Sequence, residues 1–116
     1  MQCKSNISRF LEHMNKLCLQ LGMLKSKWAN PHGLSNRDNK TTLKDMSIIC
    51  NKIMQNKLAR SIVSTINHEC VVESYHLGID SRIVKWTNTN KMLEKGWNGL
   101  KTGVTPNAGP CLAATY

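Results

Sequence analysis

Gly99-Leu100-Lys101-Thr102-Gly103-Val104-Thr105-Pro106-Asn107-Ala108-Gly109-Pro110-Cys111-Leu112-Ala113-Ala114-Thr115-Tyr116 is the stretch that decides the fold. Leu100 to Thr105 and Pro110 to Tyr116 read as two strands. Pro106-Asn107-Ala108-Gly109 between them carries the residues of a hairpin turn. Moving upstream, Gly96-Trp97-Asn98-Gly99 reads as a turn, Ile83-Val84-Lys85-Trp86-Thr87 alternates like a strand, and Cys70-Val71-Val72 is a short β-branched run. Before residue 67 the period changes. Ile7, Phe10, Leu11, Met14, Leu17, Cys18 and Leu21 recur at helical spacing and predict a helix over 7–23 with one buried face. Ser5 or Ser8 would cap its start, and Gly22 would stop it. Thr42 and Asp45 have the spacing of a capping box, so a second helix is expected from Thr42, with Met46, Ile49, Cys50, Ile53 and Met54 as its buried stripe. A third, short helix is expected within Lys57 to Ile66. Helices first and strands later make an α+β fold, since alternating α/β would interleave them.

Composition bounds the function. At 116 residues the chain has room for one domain and one modest core. No apolar run approaches the ~18 residues that cross a bilayer, and Met1 to Asn6 is polar with no signal-type apolar core after it. No membrane segment is therefore expected. The formal charge is +9, but the basic residues are scattered and aromatics are only 5%. Neither a nucleic-acid motif nor a stacking platform is present, so no nucleic acid is expected as partner. A basic face suits anionic substrates or envelope surfaces equally well. Five cysteines, at 3, 18, 50, 70 and 111, include no C-x-x-C pair and indicate neither a disulfide framework nor a zinc ribbon. Cys18 and Cys50 fall on apolar helical faces as small hydrophobes.

Lys101-Thr102-Gly103 lies on the first strand of the C-terminal hairpin. K-T-G in that setting belongs with S-x-x-K and S-x-N in penicillin-interacting enzymes. The rest of the chain extends the match. Phe10-Leu11-Glu12-His13-Met14-Asn15 with Leu21-Gly22-Met23, then Trp28-Ala29-Asn30-Pro31-His32-Gly33-Leu34, then Thr41-Thr42-Leu43-Lys44-Asp45-Met46 fall in order. Trp86-Thr87-Asn88-Thr89-Asn90-Lys91-Met92-Leu93, Gly99 to Thr105 and Ala108-Gly109-Pro110-Cys111-Leu112 follow. In these blocks the chain resembles the S11 D-alanyl-D-alanine carboxypeptidases, the low-molecular-mass penicillin-binding proteins.

The resemblance implies an α+β fold of the β-lactamase/transpeptidase type, an antiparallel sheet packed against a helical cluster. Residues 1–116 would be a partial catalytic domain, incomplete at both ends. The implied activity is serine-type removal of a terminal D-Ala through an acyl-enzyme, with no cofactor and no metal. The implied partner is a D-Ala-D-Ala-terminated peptide or a β-lactam. The resemblance makes Lys101 the catalytic-site cation, and Thr102, Gly103 and Thr105 the substrate-binding residues. Thr102 would hydrogen-bond the substrate carboxylate, and Gly103 would leave room for an extended peptide. No serine in the chain has Lys three residues on; S-x-N is missing as well, so the chain by itself is expected to be inactive, the alternative being a non-catalytic binding or structural module derived from that family. Asn30-Pro31-His32-Gly33 is read as a structural loop, Asp45 as a helix-start charge, and Trp86 and Trp97 as packing residues. Asn88 and Asn90 either bond backbone or sit in a solvated turn.

Overall fold

The computed structural model describes residues 2–74 and 80–116, with side chains over 6–73 and 81–116. Three helices come first: α1 (Gln2–Gln20), α2 (Leu43–Met54) and α3 (Lys57–Ser64). Strands β1 (Asn67–Ser74) and β2 (Asp80–Thr87) follow, then a 3-10 turn η1 (Lys91–Lys95), then β3 (Asn98–Thr105) and β4 (Gly109–Thr115). The strands form two antiparallel pairs, β1 with β2 and β3 with β4. The fold is α+β. Two compact units contain these elements: Met1–Asn56 with Val104–Cys111, and Lys57–Gly103 with Leu112–Tyr116.

In the first unit, α1 is helical from Gln2, so Ser5 and Ser8 lie inside the helix and not at its start. The helix ends as expected before Gly22, whose φ of 81° reverses the chain. Its apolar stripe is only partly covered. Cys18 is buried, whereas Ile7, Phe10 and Leu17 are exposed. Periodicity selects the face but not what packs on it. Asn15, beside the stripe, ties the helix to the segment that follows it. Its amide pairs with the Trp28 backbone in both directions, Nδ2 donating to the carbonyl at 2.9 Å and Oδ1 accepting from the N–H at 2.8 Å. The Trp28 indole N–H in turn donates to Cys18 Sγ at 3.0 Å.

The α2 start is the one foreseen. Thr42 is the N-cap and its hydroxyl accepts from Asp45 N at 3.1 Å. Asp45, a favourable charge at a helix start, is also a clamp. It is 4% exposed, and its Oδ2 accepts from Lys25 N at 2.9 Å and from the Ser26 hydroxyl at 2.7 Å. Asn30-Pro31-His32-Gly33 is a turn, with Asn30 Oδ1 accepting from Gly33 N, Asn30 Nδ2 donating to the Leu34 carbonyl, and Gly33 at φ 76°.

In the second unit β1 and β2 pair in plain register, His68 opposite Trp86 and Val71 opposite Ile83. Trp86 is not a core residue. It is 49% exposed and stacks on His68 at 5.9 Å between ring centroids, because a two-stranded ribbon leaves one side of each pair open. Trp97 is half-buried and meets Tyr116 edge to face. The stretch 96–99 is not one turn. Gly96 caps η1 in the left-handed conformation, and Asn98 and Gly99 already belong to β3.

The Asp45 clamp sets a pH dependence. The Ser26 hydroxyl, foremost, holds the carboxyl below its usual range; burial opposes this, and the Lys25 amide, the Thr42 hydroxyl and the Lys44 charge add to it. A lowered folded-state pKa stabilises at neutral pH, and that contribution is lost as pH falls from the unfolded value of ~3.9 through the lower folded one. Asp45→Asn is expected to lower Tm at pH 7 and to narrow its gap from wild type as pH drops below ~4. Thermal scans across that window check this; a constant gap refutes it.

Candidate functional site

The Lys101-Thr102-Gly103 segment is carried by β3, and three features upstream fix where that strand starts. The first is Asn88. Its Nδ2 donates to the carbonyls of Val63 at 3.3 Å and Thr65 at 3.0 Å, and its N–H donates to the Ile66 carbonyl at 2.7 Å. These bonds satisfy carbonyls at the end of α3 that have no partner inside the helix. The second is Asn90, 4% exposed. Its N–H donates to Asn88 Oδ1 at 2.9 Å, its Oδ1 caps η1 by accepting from Met92 N at 3.1 Å, and its Nδ2 donates to the Gly99 carbonyl at 2.7 Å. Asn88 and Asn90 thus bond backbone. The third is Gly99 itself, at φ 58°, where a Cβ would stand 2.6 Å from Val63 Cγ2. Only glycine accepts both the dihedral and the approach.

Along β3 the side chains alternate and then slip. Leu100 and Thr102 are half-buried, Lys101 and Gly103 exposed. Strict alternation would expose Thr105 with Lys101 and Gly103; instead Val104 is 75% exposed and Thr105 half-buried. Thr105 serves the turn, where its Oγ1 accepts from Ala108 N at 3.2 Å. The Lys101 ammonium donates to the carbonyl of Thr102. Among the described residues no carboxylate forms an ion pair with Lys101. The Thr102 hydroxyl shares a hydrogen bond of 2.7 Å with that of Thr89. Thr115 donates its hydroxyl to the Asn98 carbonyl, tying the end of β4 to the start of β3.

Lys101, Thr102 and Gly103 are therefore adjacent on one strand with a cation, a hydroxyl and an uncrowded backbone exposed or half-exposed together. Nothing stands within 4 Å of the place a Cβ would take at Gly103. Thr105 is on the same strand but oriented to its own turn. The sequence reading missed Thr89 as the partner of Thr102. Its signal was the N-T-N stretch, but a 13-residue separation has no periodic signature. His32 is placed in its own loop, with Nδ1 accepting from Leu34 N at 3.2 Å. Burial pushes the Cys50 thiol up, which suits a packing residue and not a nucleophile.

This α+β arrangement is that of the DD-transpeptidases. The crystal structure of the Streptomyces K15 DD-transpeptidase matches with a TM-score of 0.80 at 29% identity, over 90% of this chain and 40% of that one. The family model for D-alanyl-D-alanine carboxypeptidase, peptidase S11, matches residues 4–116, and the chain belongs to that family. D-alanyl-D-alanine carboxypeptidase DacF of Bacillus subtilis (strain 168) is 27% identical over 91% of this chain and 26% of its own length. D-alanyl-D-alanine carboxypeptidase DacA of Haemophilus influenzae is 30% identical over 95% of this chain and 26% of its own. The chain thus spans about a quarter of the length of these curated relatives.

Two substitutions test the geometry. Asn90→Ala leaves the Gly99 carbonyl and the Met92 N–H without their partner and is expected to cost about 1–3 kcal/mol in urea unfolding. A loss below ~0.5 kcal/mol would show that the amide does not hold β3. Gly99→Ala is expected to cost at least ~1–2 kcal/mol from the dihedral alone. Part of its total cost should vanish in a Val63→Ala background, a coupling above ~0.5 kcal/mol by double-mutant cycle. Additivity would refute the Val63 contact.

Proposed function

We propose that these residues are part of the catalytic domain of a serine-type D-Ala-D-Ala carboxypeptidase, and that β3 grips the free carboxylate of its peptide. The observation that carries this reading is the K-T-G segment, exposed on an antiparallel hairpin, in a chain that matches the family from residue 4 to 116. The substrate class is a peptide ending in D-Ala-D-Ala; a β-lactam presents a comparable carboxylate beside an acylating carbonyl. Lys101 supplies positive charge where the terminal carboxylate sits. Thr102 donates its hydroxyl to that carboxylate, and Thr89 donates its own hydroxyl to Thr102 Oγ1, which fixes the rotamer. Gly103 admits the peptide backbone alongside the strand. Thr105 contributes at the far end of the same strand by holding the turn that ends it.

In the reaction the carbonyl carbon of the penultimate residue passes from the D-Ala nitrogen to a serine oxygen, and the D-Ala leaves with a proton. Water then takes the acyl group. No S-x-x-K occurs among these 116 residues. What these residues contribute on this reading is binding and electrostatic stabilisation, with the nucleophile supplied from elsewhere.

Two measurements check this. Labelled penicillin is expected to leave the 116-residue chain unmodified after denaturation; a covalent adduct would mean an unrecognised nucleophile within it. A peptide ending in D-Ala-D-Ala is expected to shift the amide resonances of 101–103 with a dissociation constant on the order of millimolar. The shifts should disappear with a C-terminally amidated peptide and in Thr102→Val. Equal shifts with free and amidated peptide would overturn the carboxylate grip.

A further inference from the structure

The Asn88-Thr89-Asn90 turn meets β3 at Gly99 and again at Thr102. The buried amide of Asn90 donates to the Gly99 carbonyl at 2.7 Å, and the Thr89 hydroxyl bonds that of Thr102 at 2.7 Å. Neighbouring residues of the turn thus grip the strand at points three residues apart. The turn itself is closed by the Asn90 N–H on Asn88 Oδ1 at 2.9 Å, and Asn88 Nδ2 anchors it on the Val63 and Thr65 carbonyls. Thr89 therefore stands between two residues whose side chains are spent on backbone. Its hydroxyl is the group with which the turn reaches a side chain of the K-T-G segment.

Proton arithmetic gives that contact a direction once a ligand is bound. A hydroxyl has one proton to donate, and an ionised carboxylate can only accept. A carboxylate on Thr102 takes the Thr102 proton, so the bond between the two hydroxyls must then be donated by Thr89. Both protons of the pair point toward the anion. A hydroxyl that accepts a hydrogen bond is polarised into a better donor, and a bond to an ionised group gains more from this than a bond to a neutral one. Thr102 is also β-branched, with few χ1 states open to it. The bond to Thr89 selects one of them before any ligand arrives.

We propose that Thr89 is a positioning residue that sets the preference of the site for a free terminal carboxylate. The inference rests on the reading of β3 as the carboxylate grip. Thr89 acts through Thr102, holding its rotamer in advance and directing its proton outward when the anion is bound. Lys101 presents donors only, so Lys101 and Thr102 together ask for two acceptors. A carboxylate brings two; a carboxamide brings one oxygen to two donors and gains less from Thr89.

The test compares Thr89→Val, which keeps the shape and loses the hydroxyl, with Thr89→Ser, which keeps the hydroxyl. Without ligand, three-bond couplings to the Thr102 methyl carbon report its χ1. They are expected to show one rotamer in wild type and Thr89→Ser, and averaging in Thr89→Val. With the D-Ala-D-Ala peptide as free acid, Thr89→Val is expected to raise the dissociation constant roughly fivefold. Thr89→Ser should stay within about twofold of wild type. Unaveraged couplings in Thr89→Val, or an unchanged dissociation constant while Thr102→Val abolishes the shifts, would overturn the role of Thr89 and leave the carboxylate grip standing. Equal losses in Thr89→Ser and Thr89→Val would mark a packing role and overturn it too. Peptide binding untouched by Thr102→Val would remove the grip itself, and this inference with it.

Discussion

The carboxamide of Asn90 is the interaction on which the candidate site rests. One buried side chain caps η1, receives support from Asn88 and holds the Gly99 carbonyl where β3 begins. An amide is suited to this because it offers a donor and an acceptor on one rigid plane. A carboxylate could not donate to Gly99, and an apolar residue would leave two backbone groups, the Gly99 carbonyl and the Met92 N–H, without this partner. Through Asn88 the same arrangement reaches the carbonyls at the end of α3, and Val63 from that helix packs where Gly99 has no side chain. The position of Lys101 and Thr102 is thus set by residues that need never touch a substrate.

The other unit uses the same logic. Asn15 pairs with the Trp28 backbone, and Asp45 collects Lys25 and Ser26. The buried apolar side chains of this unit among the described residues are Cys18 and Met23. So few make a thin core, and directional bonds from buried polar groups then decide how loops meet helices. Such bonds contribute modestly when made but cost more when one partner is lost. The residues that make them are therefore sensitive positions even far from any chemistry.

The family's motifs gain a physical meaning in this light. The Asn of the helical F-x-x-x-M-N block is a backbone clip, the Asp of T-T-L-K-D-M is a clamp beneath the loop before α2, and the two Asn of N-T-N are the bolts of β3. Each of these contacts orders the backbone of its own unit.

The sequence alone determined the kinds of element, their order and several of their ends. Thr42 announced the α2 cap, Gly22 the end of α1, and Pro106 to Gly109 the hairpin, because caps, periodicity and turns are set by residues a few positions apart. Tertiary structure decided the pairings over longer separations: Asn90 with Gly99, Thr89 with Thr102, Asp45 with Lys25 and Ser26. It also decided that Trp86, Ile7 and Phe10 face outward and that Thr105 turns away from the register of Lys101. Periodicity states which residues share a face, while chain closure in three dimensions determines what covers that face and which buried polar group finds a partner.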